Sequence, residues 1–147
     1  MFGTRQNGVS AYEKVGMETG VVAASPHKLI VMLYDGALTA LNMALMHMRA
    51  GNIAEKGKAI SKALLIIDSG LRASLDKKVG GDIAEGLDSL YEYMSDRLLM
   101  ANLKNQPEII EEVQRLLIDL RDTWNAIGAT PAAQSGSRPT SLTSAYP

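Results

Sequence analysis

Cysteine is absent from all 147 residues. That removes disulfides, thiolate metal sites and cysteine nucleophiles, and it fits a reducing compartment. Histidine occurs only at His27 and His47, twenty residues apart. On one helix that separation is roughly 30 Å, too far for a shared metal. Ala24 and Ala44 stand three residues before them, so the Glu-x-x-His pairs of di-iron bundles are missing. Neither a metal nor any other cofactor is expected. Charge of one sign is lacking too: the formal net charge is −1, which argues against a nucleic-acid binder. The first eight residues, Met1 to Gly8, hold no apolar core of a secretory signal, so a cytoplasmic protein is expected. No alternating β pattern occurs anywhere in the chain.

Catalytic templates are missing as well. The run from Gly51 to Ala59 contains two glycines and Gly57-Lys58, but the glycines are one residue too far apart for a phosphate loop. Ala59 also stands where a Ser or Thr must reach magnesium, and no strand precedes the run. Most carboxylates of the second half lie opposite apolar stripes, as solvated groups do, and no pair is set up for acid–base work. Asp35 sits between Tyr34 and Gly36, an arrangement that no catalytic template asks for. The chain is not expected to be an enzyme.

What is present is helical periodicity. Four segments of about 20 to 25 residues carry apolar residues every three or four positions. The first runs from Pro26 to about Arg49, with Ser25 as N-cap, Pro26 in the first turn and Gly51 as stop. The second runs from Ile53 to about Leu75 through Ile60, Leu64, Ile67 and Leu71. Lys77 to Gly81 reads as a turn. The third starts near Asp82 and follows Ile83, Leu87, Leu90, Tyr91, Met94, Leu98 and Ala101. The fourth starts at Pro107, follows Ile109, Val113, Leu116, Leu120, Trp124 and Ile127, and stops at Gly128. Matched lengths and short connections predict an all-α antiparallel up-down four-helix bundle.

Leu29 to Met48 is long and apolar enough to raise a membrane span, with one formal charge in twenty residues. Asp35 deep in a bilayer would cost about 2.5–3.5 kcal/mol. The other three segments are amphipathic and can cover this one, so it is expected to be the most buried helix of the bundle, with no membrane insertion. Residues 52–78 carry +3, while residues 79–106 and 107–128 carry −3 each. Oppositely charged helices are therefore expected as neighbours. Residues 129–147 are rich in Ala, Ser, Thr and Pro and are expected to be disordered. Residues 1–24 form a separate segment, apolar enough between Val9 and Val22 to lie on the bundle, as a short helix or an extended cap.

Eight methionines is a high count for this length. Methionine fills core gaps and also populates adaptable binding surfaces. Tyr91 and Tyr93 point about 200° apart on a helix. Tyr91 follows the core stripe, which leaves Tyr93 as the candidate for a partner contact. Gly36 costs about 1 kcal/mol inside a helix relative to alanine. Either a neighbouring helix or a bound segment must approach closely there.

These residues together resemble the flagellar secretion chaperones of the FliS family. The motifs are Ala11-Tyr12 with Val15-Gly16, Ala24-Ser25-Pro26, Leu33-Tyr34-Asp35-Gly36-Ala37, Gly80-Gly81 with Ile83-Ala84, Leu90-Tyr91-x-Tyr93-Met94, Ala101-Asn102 and Trp124. The resemblance covers Ala11 to about Ile127; at Ala23 the family often has a threonine. It implies a cytosolic export chaperone, a monomer or weak homodimer, that holds the C-terminal segment of flagellin and delivers it to a flagellar export gate protein. It further implies docking through the N-terminal tyrosine region, here Tyr12. The candidate partner-binding residues are Tyr12, Val15, Ile30, Leu33, Tyr34, Gly36, Leu90, Tyr93, Leu98 and Asn102. The alternative is a homo-oligomeric helical-bundle protein with a different amphipathic-helix partner.

Overall fold

The structure, a computed structural model, describes residues 25–129. The N-terminal segment and the tail beyond Ala129 lie outside the described residues, so the readings made for them are not addressed. Helix α1 is Pro26–Ala50. The Ser25 hydroxyl accepts the Lys28 N–H at 3.1 Å, and Pro26 lacks a donor in the turn where donors have no partner. Gly51 closes the helix in the left-handed conformation at φ 78°. Its N–H and that of Asn52 turn back onto the carbonyls of Met48 and His47, which satisfies two of the orphaned acceptors.

Helix α2, Ile53–Leu65, does not continue regularly to Leu75 as the periodicity predicts. It widens into a π segment, Ile66–Leu71, and then tightens into a 3-10 turn, Arg72–Ser74. The Arg72 N–H bonds to Ile67 O, five residues back. The widened turn absorbs one extra residue, so Ile60, Ile67, Leu71 and Leu75 all remain in the core.

Helix α3, Lys77–Lys104, starts earlier than Asp82. Asp76 Oδ1 accepts the N–H groups of Lys78 and Val79, which stabilises one turn ahead of the expected start. That turn is broken from the rest at Gly81 (φ 55°, ψ −130°), a conformation essentially reserved for glycine. The predicted turn and the observed helix are therefore both partly right. Asn105 ends α3 at φ 53°, and helix α4, Pro107–Ala129, follows.

The four helices pack in up-down order. Helix α1 neighbours α2 and α4, and α3 closes the ring by neighbouring both of them. No strand occurs among the described residues. Helix α1 supplies the centre, burying Leu29, Ile30, Val31, Leu33, Tyr34, Ala37, Leu38, Ala40, Leu41, Ala44 and Leu45. On length and composition alone it is able to cross a membrane, but 61% of its most apolar stretch is buried under the amphipathic faces of the other helices. Across the diagonal of the ring, the hydroxyls of Tyr34 and Tyr91 meet at 2.6 Å in the buried core.

The start of α1 and the end of α4 are clasped together. His27 and Trp124 stack with centroids 4.9 Å apart. The His27 Nε2–H donates to Trp124 O at 2.7 Å, and the Trp124 indole N–H donates to His27 O at 3.1 Å. Gly128 lies flush against the His27 ring, where a Cβ would overlap the imidazole. Gly128 does not stop the helix, which runs on to Ala129. Its work is close approach.

Candidate functional site

The helix arrangement sorts the candidate residues into three groups. Tyr12 and Val15 lie outside the described residues. Ile30, Leu33, Tyr34 and Leu98 lie in the core, so as the bundle stands they present no surface to a partner. Leu33 packs on the backbone of Gly70, where a Cβ would stand 3.0 Å from its Cδ2. Tyr34 is committed to Tyr91. Gly36, Leu90 and Asn102 are half-buried, and Tyr93 is exposed. Between the two explanations of Gly36, the near neighbour is Ile66 of the adjacent helix. A Cβ at Gly36 would meet Ile66 Cδ1 at 3.4 Å, so the gap is small.

Two exposed apolar strips occur among the described residues; Gly36 lies on the first, while Tyr93 turns to Glu112 of α4, away from the α2–α3 seam of the second. On α1, Met32, Met43 and Met46 are exposed and fall on one helical stripe with Gly36 and Thr39, because the steps are three and four residues. On α3, Leu99 and Leu103 are one turn apart and exposed, as is Leu65 of α2. Leu65 and Leu99 flank the hydrogen bond from Ser95 Oγ to Asp68 Oδ1, 2.9 Å long, which places them along one antiparallel seam. Isolated exposed apolar residues are ordinary, but contiguous strips mark interaction surfaces. Leu99 and Leu103 were readable in the sequence as apolar positions off the Leu90–Ala101 stripe; Leu65 was not, because its spacing places it on the apolar stripe of the second segment, and the Met stripe was concealed because nearly every face of α1 is apolar.

Polar contacts hold the edges of these strips. On the α1–α4 side, Asp35 takes Arg121 at 3.1 Å, Asn42 accepts from Gln114 at 2.8 Å and Arg49 pairs with Glu111 at 2.9 Å. Tyr93 donates its hydroxyl to Glu112, which also holds Arg97 at 3.0 Å. That hydrogen bond pushes the phenol up from its usual range, and it holds the Glu112 carboxyl below the ordinary value, with Arg97 helping. At the bottom of α2, Arg72 meets Asp88 at 2.5 Å and Glu92 at 3.5 Å, and Lys77 meets Asp88 at 3.1 Å. The basic second segment does pack on the acidic third, but the acidic fourth packs on the third as well, against the charge expectation; Asp88 is held low chiefly by its hydrogen bond to Arg72.

Lys56 escaped sequence reasoning. It is 3% exposed and its ammonium donates to Asn102 O at 2.9 Å and Asn105 Oδ1 at 2.5 Å. A lysine at a helix C-terminus complements the dipole and the orphaned carbonyls. No group of three or more metal-ligating side chains occurs among the described residues.

Comparison with known proteins bears on the family to which this bundle belongs. The profile of the family described as flagellar protein FliS matches residues 8–131. The chain belongs to the FliS family. The flagellar secretion chaperone FliS of Salmonella typhimurium is 47% identical over 128 residues, spanning 87% of this chain and 95% of that protein. The FliS of Escherichia coli is 41% identical over 125 residues, 85% and 92% of the two chains. That of Bacillus subtilis is 30% identical over 119 residues, 81% and 84%. The FliS family is one of export chaperones in flagellum biogenesis, not of enzymes. The strips on α1, α2 and α3 are thus surfaces of a FliS chaperone bundle.

Proposed function

We propose that this FliS chain binds the C-terminal segment of flagellin in the cytosol, prevents its premature self-assembly and delivers it to a flagellar export gate protein. The observation that carries the reading is the pair of exposed apolar strips on a bundle of the FliS family. An amphipathic client orders as it binds and lays its apolar residues along the strips, as helix-in-groove partners do. Ordering on binding lowers affinity per unit area but allows the client to wrap widely. Gly36, Leu90, Tyr93 and Asn102 contribute the half-buried and exposed rim. Ile30, Leu33, Tyr34 and Leu98 support the strips from beneath. Tyr12 and Val15 take the docking role toward the gate.

The test mixes the chain with full-length flagellin and with flagellin lacking its C-terminal segment, followed by size-exclusion chromatography with light scattering. A defined hetero-complex with the full-length protein only is expected. Self-association of the chain without hetero-complex formation would support the homo-oligomeric alternative instead.

A further inference from the structure

The exposed methionines of α1 sit in a chain that has no thiol. Met32 is 40% exposed, Met43 47% and Met46 56%, and all three lie on one stripe beside Gly36. Met94, by contrast, is completely buried. Cysteine thiolates, where present, react first with peroxides; here there are none. Met100 of α3 is 37% exposed, close to Met32, so Met43 and Met46 are the most accessible two-electron reductants among the described residues and the α1 stripe gathers three of the four exposed thioethers. We infer that Met32, Met43 and Met46 form an oxidation site whose conversion to sulfoxide switches off client docking on α1.

The chemistry balances with a peroxide as oxidant. A lone pair on the thioether sulfur attacks one peroxide oxygen. The S–O bond forms as the O–O bond breaks, and the second oxygen leaves as water after taking up the proton. Sulfur is oxidised by two electrons and the peroxide is reduced. The product places a strongly polar S=O group where an apolar, deformable side chain was presented, so a docking client must desolvate it without a dedicated donor. The change is reversible by methionine sulfoxide reductases, one enzyme for each sulfoxide epimer. Three such groups along one helix stripe act on the same bound segment, so their effects accumulate.

The inference rests on the proposed binding of flagellin. The test uses the full chain, hydrogen peroxide and a flagellin C-terminal peptide. Peptide mapping by mass spectrometry should find sulfoxide at Met43 and Met46 well before Met94. Affinity for the flagellin peptide should then fall at least tenfold, with an unchanged helical spectrum, and recover after treatment with both reductases. A triple variant, Met32→Leu, Met43→Leu and Met46→Leu, is compared with its own untreated sample. It should lose less than twofold under the same peroxide dose. The inference is overturned if the oxidised wild type binds as before, if Met94 oxidises first, or if the triple variant loses affinity as the wild type does. Failure of the untreated chain to bind the peptide sinks the functional reading and this inference with it. Binding by the untreated chain without loss on oxidation sinks only the inference.

Discussion

Replacing Gly128 by alanine should destabilise this bundle, although the same change in an open helix is stabilising. Alanine is favoured over glycine in a helix interior by about 0.8–1.0 kcal/mol, and less within the last turn. Gly86 provides the reference, because nothing lies within 4 Å of a Cβ built there; Gly86→Ala should gain close to that amount. At Gly128 the new Cβ overlaps the His27 ring. The ring is the movable partner and must swing away. That loses its hydrogen bond to Trp124 O, about 1 kcal/mol, and its stacking on Trp124, about 0.5–1.5 kcal/mol. Set against a propensity gain of under about 1 kcal/mol, the net is a loss of about 1 kcal/mol. Urea unfolding followed by circular dichroism reads both variants, and the thermal midpoint should fall by about 3–5 °C. In His27→Ala the obstruction is gone, so Gly128→Ala added there should become neutral or stabilising. If Gly128→Ala raises the midpoint as Gly86→Ala does, or if the double variant shows no coupling, the clasp does not hold the ends as described.

The remaining expectations concern charge and core. Asp88 and Glu112 are both held below ordinary carboxylate values. Their contribution is therefore fully present above the unfolded value near about 4 and is lost as pH falls through their lower folded values. Urea midpoints at neutral pH and below about pH 4 should show this loss, and Asp88→Asn should flatten it; an unchanged slope refutes the Arg72 contact as its source. Lys56→Met should cost about 2–3 kcal/mol, since the charged donor serves two acceptors at the end of α3, and amide hydrogen exchange should rise there first. Leu98→Ala, in the fully buried core, should cost about 2–5 kcal/mol. Leu103→Ala, on the exposed strip, should leave stability within about 0.5 kcal/mol and lower flagellin-peptide affinity, as isothermal titration will read. Equal effects of the two leucines on stability would contradict the assigned burial.

Much of the fold was legible because its signals are local. Ser25-Pro26 and Gly51 each act within one turn of their own residue, and the apolar spacing of α3 and α4 needs no partner to be seen. The family motifs also survived in order along most of the chain. The irregularities were not legible. Nothing in the Ile66–Leu71 stretch announces a π turn, because it arises from keeping Ile60, Ile67 and Leu71 against α1 together. The early start of α3 depended on Asp76 reaching two backbone donors, and its break on Gly81 taking a conformation that a turn reading had assigned to the whole stretch. Lys56 looked like any surface lysine until the end of α3 was placed beside it.

The candidate site divides in the same way. The sequence alone determined that residues 26–128 form an all-α bundle, that α1 is its most apolar member and that the chain carries the motifs of an export chaperone family. Those are properties of periodicity, composition and motif order. Only the tertiary structure decided which apolar residues of α1 face outward. Ile30, Leu33 and Tyr34 went to the core while Met32, Met43 and Met46 stayed on the surface, because α2, α3 and α4 together cover less than the full circumference of a helix that is apolar nearly all round. A sequence records how apolar a helix is; which side remains uncovered depends on where its neighbours pack.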